Sequence, residues 1–428
     1  MTSVRHLVAR PAFIFVVALI LRLGAGAIFL RGHDKTIDST DSFTEGSEAI
    51  GIARSLASGN GFGSPWSGAG PTAWLTPVMP AILAADMLVF GLHTRATLVA
   101  FVVFNEFCSA LTIFPVFFTA WRIAGGQGEH RIAALAAWLC VLDPPAVALA
   151  TRSVWYTTLS GLLAALLLWA TLAVRDSKKL APWIGYGLLW GLELMTHPSF
   201  LLLMPVALLW LVWVRPGVKS LDSERVKLPA LACFAAVVCC VPWTARNYEV
   251  FHHLVPLRSN FGFELWLMNH GGRPLHPNSD PGERDAFSSL GERAYVREKQ
   301  KEAFAWIGAH PGAYLVGGAK RVLDFWFDMY KAHRHRGGWF FKAKTFYSCV
   351  LVAAMLGGLI AIRRRRHEYF WLLASCPFFF PLSYYIASAR EYHRVPIDPV
   401  LAIIAAVAVT LWLPDPQLSS TGRLVLEA

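Results

Sequence analysis

Two acidic side chains stand three residues apart near the start of the chain, Glu45 and Glu48 in SFTEGSEAIGIARSLA, and Ala49, Ile52, Ala53 and Leu56 recur behind them at helical spacing. A helix over 42–57 would turn both carboxylates toward one place, where a carboxylate can take the proton of an attacking hydroxyl. The same residues also suit a plainer arrangement: Ser42 caps the helix, Glu45 closes a capping box, and Glu48 is a solvated acid near the positive helix end. At the far end, YYIASAREYHRVPIDP gathers Arg390, His393 and Arg394. Guanidinium forks match the oxygens of a phosphate, although such cations also snorkel to lipid headgroups. Between these ends, PWTARNYEVFHHLVPLRSNFGFELWLMNHGG sets Arg246, Arg258, Asn260, Asn269 and His270 among Trp243, Trp266 and other rings. Aromatic faces beside directed donors suit a sugar; the plainer alternative is a loop anchored at a membrane interface by its two tryptophans.

Other groups point to less. Asp143 and Glu193 lie inside apolar stretches, where an unpaired charge is costly, so each must pair or face a cavity. His252, His253 and the HRHR run at 333–336 lack the spacing of a zinc site, so no metal and no other cofactor is expected. The glycines of GNGFG precede no buried strand, and no nucleotide-binding glycine loop occurs, which argues against direct use of a nucleotide sugar. All seven cysteines, at 108, 140, 233, 239, 240, 349 and 376, fall in apolar segments and read as small buried hydrophobes.

The elements that must position these residues are dictated by composition. Of 428 residues, 55% are hydrophobic and only 16% charged, against roughly a quarter charged in a soluble domain. The chain belongs in a bilayer. Runs of about 20 apolar residues lie near 12–30, 97–121, 132–151, 157–174, 181–196, 199–214, 228–245, 345–362, 369–387 and 397–413, which predicts about ten crossings in an all-α bundle. The first run holds Arg22 and no small-residue cleavage site, so it reads as a retained helix rather than a signal peptide. The run 78–90 starts after Pro77, contains Pro80 and Asp86, and is too short to cross; it is expected to lie along the interface.

With that choice every basic loop falls on one side: Arg5 and Arg10, Arg122 and Arg131, Arg175 to Lys179, Arg215 to Lys227, and Arg363 to Arg366. The positive-inside rule makes that side cytoplasmic and places both termini there. It accounts for the formal charge of +11 without nucleic acid, for which no motif is present. Five segments then face outward together: 31–96, 152–156, the turn at His197, 246–344 and 388–396. The first carries the acids, and the fourth, about 100 residues long, far exceeds an ordinary connection. The chain reads as one integral-membrane domain, 1–428, with 31–96 and 246–344 as its large outer loops.

Five pieces in order along most of the chain carry a resemblance: an acid before IARSLASGNGF, GPTAWLTPVMPAILA ending in FG, GLLWGLELMTHPSFLLLMP, PWTARN through RSNFGFELWLMN, and REYHRVPIDP. Together they resemble membrane glycosyltransferases of the GT-C superfamily, in the family 39, ArnT/PMT-like group that uses polyprenyl-phosphate sugars. The resemblance implies a GT-C-type bundle with juxtamembrane helices in the first outer loop and an acidic catalytic residue there. Counting back from Ile52 puts that acid at Glu48 by one family pattern and at Glu45 by another. Where relatives carry a second acid near the fourth span this chain has Tyr156, and where ArnT-like members have a lysine it has Thr76.

The activity expected is transfer of a glycosyl group from a polyprenyl-phosphate sugar to a hydroxyl of a lipid, glycan or protein, with inversion, on the periplasmic face of a bacterial inner membrane. Arg390, Arg394, His393, Arg246 and Arg258 are the expected phosphate-binding residues; Asn260, Trp266, Asn269, His270 and Tyr156 are the expected sugar or acceptor contacts. A lipid-linked sugar transporter or flippase would also need a cationic headgroup site, but not a carboxylate beside an acceptor cleft.

Overall fold

A computed structural model describes residues 8–31, 36–37, 46–66, 70–125, 130–214, 223–327, 338–365 and 367–412. Among these residues there are helices and no strand; a lone bridge joins Gly63 to Pro71. Among the described residues six helices are long and apolar enough to cross a membrane: Pro11–Arg31, Arg95–Ala124, Thr157–Arg175, Arg225–Phe251, Lys342–Arg364 and Glu368–Ile386. The chain is a multi-pass membrane protein.

The remaining apolar runs are helical too, but shorter or broken. The run expected at 132–151 is two helices, His130–Val141 and Pro144–Arg152, bent by 47°. The break has a local cause: the Asp143 carboxylate accepts from the Ala146 N–H at 3.1 Å, and Pro144 opens the second helix where its missing N–H is harmless. Asp143 therefore acts as a helix cap inside an apolar run. The runs at 181–196, 199–214 and 397–413 become Leu180–Thr196, a Pro198–Leu202 3-10 turn leading into Met204–Val214, and Asp398–Trp412. Val78–Phe90 is a helix of 13 residues packed on Ser47–Ala57.

Close helix contacts are made with small residues, because lipid gives no hydrophobic drive and backbones must approach closely to gain dispersion. A Cβ on Gly187 would lie 2.2 Å from the Ala232 carbonyl oxygen, and one on Gly358 would lie 2.1 Å from that of Ile404. The cysteines form no disulfide, and Cys108, Cys140 and Cys376 are buried.

A second core, distinct from that of the bundle, is built from the first loop and the long loop together with Leu98, Phe101 and Val102 at the start of the Arg95–Ala124 helix and the 154–156 turn. Phe261–Leu267, Pro281–Leu290 and Glu292–Ala309 are the helices of the long loop, the middle one capped by Asp280, whose Oδ1 accepts from the Glu283 N–H at 2.9 Å. Trp66, Trp74, Phe263, Phe287 and Tyr295 form a chain of edge and tilted ring contacts with centroids 4.6 to 5.9 Å apart. Glu292 ties the two loops together. It accepts from the Thr72 hydroxyl, from the Ala73 N–H at 2.9 Å and from the Ser259 hydroxyl at 2.6 Å. This cap meets the helix ends through Thr76, whose hydroxyl donates to the Thr196 carbonyl at 3.1 Å, and through Asn269, whose amide donates to the Ala387 carbonyl at 3.4 Å.

Candidate functional site

Between cap and bundle lies a cavity of about 660 Å³, and all five segments grouped on one face by the charge pattern reach it: Glu48, Tyr156, Ser199, Arg258 and Arg390 each line its wall. Glu48 is brought there by the residue before its helix. Gly46 has φ 128°, a conformation that favours glycine, and a Cβ on it would sit 2.2 Å from the Val154 carbonyl oxygen. The Ser47–Ala57 helix can therefore start hard against the 153–156 turn, which is itself held by the Asn105 amide donating to the Ser153 carbonyl at 3.0 Å.

Glu48 is 8% exposed and accepts from the Trp74 indole N–H at 2.8 Å, with His276 Nε2 3.2 Å from the same oxygen. Burial alone would raise its pKa, but the hydrogen bond and charge of His276, the Arg258 guanidinium and the Trp74 bond outweigh it and hold the carboxyl below the ordinary range. Glu48 is thus an ionised carboxylate at neutral pH. A second carboxylate, Glu264, faces the same cavity from the Phe261–Leu267 helix and accepts from the Asn260 amide at 3.2 Å. Burial pushes its pKa up and Arg258 opposes that; the charge on Glu48 pushes it further.

Arg258 acts electrostatically on both acids. Its Nε donates to the Trp74 carbonyl at 2.9 Å, and its guanidinium carbon is 6.0 Å from the centre of the Tyr156 ring. Tyr156 is buried and in turn packs on the His197 ring at 4.6 Å. At the rim stand Arg390, exposed, and His393, whose ring stacks on Tyr384 at 4.3 Å while its Nδ1 accepts the Arg390 N–H at 3.1 Å. Asn278 joins wall to wall, accepting from the Trp66 indole at 2.7 Å and donating to the Ser47 hydroxyl at 2.7 Å.

Of the expected site residues, the structure brings Glu48, Arg258, Asn260, Tyr156, Arg390 and His393 together. Glu45, Ser42 and the run 333–336 lie outside the described residues. Five others do not line the cavity. Arg394 is taken up inside the bundle, with Asp398 carboxylate oxygens at 2.8 and 3.2 Å, the Trp326 carbonyl at 2.6 Å and Ser348 at 3.0 Å. Arg246 is a clamp on the first loop, donating to the Thr72 carbonyl at 2.6 Å and the Phe62 carbonyl at 2.9 Å. Trp266 is enclosed, its indole donating to Glu302 at 2.6 Å and its face covered by His270 at 4.0 Å. His270 Nδ1 is 2.7 Å from the Trp266 carbonyl, and Asn269 accepts from Arg321 at 3.1 Å.

Glu264, His276, Asn278 and Tyr384 are cavity residues that the sequence reading did not select. Glu264 left a signal, a lone acid among the rings of NFGFELW; His276 sits in an ordinary turn and left none. Among the described residues no group of three or more His, Cys, Asp or Glu is arranged to hold a metal ion.

No protein-family model and no curated protein sequence matches this chain. Solved structures do share its fold. The oligosaccharyltransferase of Archaeoglobus fulgidus in its apo form superposes with a TM-score of 0.59 at 12% identity, covering 94% of this chain and 50% of that one. The same archaeal enzyme in complex with an inhibitory peptide and a dolichol-phosphate gives 0.56 at 13% identity, covering 94% and 50%. ArnT from Cupriavidus metallidurans bound to undecaprenyl phosphate gives 0.52 at 16% identity, covering 96% and 62%. The chain thus spans about half of the archaeal enzyme's length and has the all-α GT-C fold anticipated from its motifs.

Proposed function

We propose that the chain is a membrane glycosyltransferase that moves a sugar from a polyprenyl-phosphate carrier to an acceptor hydroxyl. The observation that carries this reading is the cavity in which an ionised carboxylate, Glu48, and a half-buried guanidinium, Arg258, face the same space at the end of a GT-C bundle. Glu48 takes the proton of the acceptor hydroxyl as that oxygen attacks the anomeric carbon, and displacement from the opposite side inverts the configuration. Arg258, with Arg390 and His393 at the rim, stabilises the departing lipid phosphate as its charge develops. Asn260 and Tyr156 contact the sugar or the acceptor. The two guanidiniums supply the charge stabilisation, so transfer is expected to survive EDTA. The active face is periplasmic in a bacterial inner membrane, with both termini cytoplasmic, as the basic loops suggest.

Glu264 favours a second assignment within this reading. A carboxyl that burial and a neighbouring carboxylate keep hard to ionise is the stronger base once ionised, and Glu48 would then serve the positive charge growing on the sugar.

Sugar transfer by membranes containing wild type, Glu48→Gln, Glu264→Gln or Glu45→Gln, at matched expression and with a panel of labelled polyprenyl-phosphate sugars and native acceptor extract, tests both. Loss in one carboxylate variant identifies the base; full activity in all three removes the carboxylate mechanism. Binding of carrier lipid with no transfer from any donor would turn the reading to a transporter.

A further inference from the structure

The wall of the cavity continues into a line of buried polar groups that the reaction above leaves unused. Glu193, in the last turn of the Leu180–Thr196 helix, touches Ser160 Oγ through Oε1, while its Oε2 has no hydrogen-bond partner among the described residues. Ser160 Oγ is 3.0 Å from His197 Nδ1, and His197 Nε2 is 2.6 Å from the Tyr384 hydroxyl. The Ser199 hydroxyl donates to the Tyr384 oxygen at 3.0 Å. Glu193 and Ser160 are 0% exposed and His197 1%, whereas Tyr384 and Ser199 line the cavity.

Two directions of hydrogen bonding satisfy these positions. With Glu193 ionised, every hydrogen points inward: Tyr384 O–H to Nε2, Nδ1–H to Ser160, and Ser160 O–H to the carboxylate. With Glu193 carrying its proton the order reverses: the acid O–H donates to Ser160, Ser160 to Nδ1, and Nε2–H to the Tyr384 oxygen. The phenolic hydrogen is then released toward the cavity. A fully buried carboxylate with one contact and one empty oxygen is a poor place for a charge, while a neutral acid needs only the single bond it has. The outward direction is the one the surroundings favour.

What meets that hydrogen is set by its neighbours. Arg258 acts electrostatically on both Tyr384 and His197. On the same wall the Ser383 hydroxyl is buried without a hydrogen-bond partner among the described residues. A donor hydroxyl, an unpartnered hydroxyl and a guanidinium together make a site for an oxyanion. We propose that Tyr384 is a hydrogen-bond donor to the phosphate of the lipid-linked substrate, and that Glu193, acting through Ser160 and His197, is the positioning residue that turns the Tyr384 hydrogen into the cavity. The inference rests on the phosphate-lipid reading above and adds to it a residue that aims and a residue that binds.

The test uses the purified full chain in detergent, with nitrogen NMR of the histidine rings and titration with farnesyl phosphate, farnesol and inorganic phosphate. The His197 signal, identified by its loss in His197→Gln, is expected as the neutral Nε2–H tautomer in wild type. Tyr384→Phe weakens farnesyl phosphate binding about tenfold and leaves farnesol unchanged. Glu193→Gln keeps both tautomer and affinity, because an amide N–H replaces the acid O–H as donor to Ser160; Glu193→Leu loses both. An Nδ1–H tautomer in wild type, read without any ligand, overturns the role of Glu193, as does equal loss in the Gln and Leu variants. Unchanged farnesyl phosphate affinity in Tyr384→Phe overturns the role of Tyr384. Absence of farnesyl phosphate binding in wild type would strike the phosphate-lipid reading itself, and inorganic phosphate bound as tightly as farnesyl phosphate would make the site one for free phosphate.

Discussion

Arg258, half-buried in the cap, and Arg394, buried in the bundle, use their donors in opposite ways. Arg394 is closed on itself: Asp398 lies one helical turn along the chain, takes both forks of the guanidinium, and is buried with it at 2% exposure. Arg258 gives Nε to the Trp74 carbonyl, bonds the Tyr156 side chain, and lines a cavity that it shares with two carboxylates from different loops. In the bundle a buried charge is neutralised by one neighbour to hold helices together; in the cap the charge is held by a backbone carbonyl and a tyrosine and faces a cavity. A cation of the second kind is what the proposed phosphate site requires.

The largest expected difference between the two is in activity. Arg258→Ala should lower sugar transfer about 10³-fold, the scale of a lost charge-stabilising donor, with a far smaller effect on the melting temperature. Equal loss of transfer and of stability would break the contrast. Arg394→Ala should instead unfold the bundle, costing about 3–5 kcal/mol because Asp398 is left buried and unpaired. Thermal denaturation in detergent reads this, and pairing Arg394→Met with Asp398→Leu should regain most of the loss. If the double variant stays as unstable as the single one, Arg394 does more than neutralise its neighbour.

Next in size is Glu292, which joins the two halves of the cap rather than facing the cavity. Glu292→Ala leaves the Ser259 and Thr72 hydroxyls and the Ala73 N–H without their acceptor. A cost of about 2 kcal/mol is expected, with faster amide exchange at 72–73 and little change in the bundle. Protection lost evenly over the whole chain would mean that cap and bundle fold as one unit.

The contrast also marks what could be read from sequence. Apolar runs fix the bundle because hydropathy is a local property, and even the 47° break falls where Asp143 and two prolines interrupt a run. The grouping of loops was legible as well, since charge alternates from loop to loop. What a single arginine does was not. Arg246 and Arg258 lie in one stretch among similar rings, yet the first is consumed by the Thr72 and Phe62 carbonyls and the second faces the cavity. That outcome depends on contacts more than 170 positions apart in sequence, which no spacing rule encodes. The same holds for His276, which reaches Glu48 from a distant turn.

The smallest effects come from within the cap, where the two carboxylates of one cavity should respond to pH with opposite signs. Glu48 is held below its ordinary pKa, so its ionised form stabilises the fold; that stability is present above the unfolded value and fades as pH falls through the folded one. Glu48→Gln should therefore melt lower than wild type at neutral pH, and the gap should close on acidification below about pH 4. Glu264 is held above its ordinary pKa, so folding favours its protonated form and stability declines as pH rises from the unfolded value through the folded one. Glu264→Gln should melt no lower than wild type near pH 4 and gain on it as pH increases. The double variant sharpens this further, since removing the Glu48 charge relieves part of what opposes Glu264, and the gain from Glu264→Gln should shrink in a Glu48→Gln background. Difference curves of the same sign for the two single variants would mean that Arg258 pairs with both acids alike, and that the cavity holds one undivided acidic cluster instead of a fixed anion beside a carboxyl poised to take a proton.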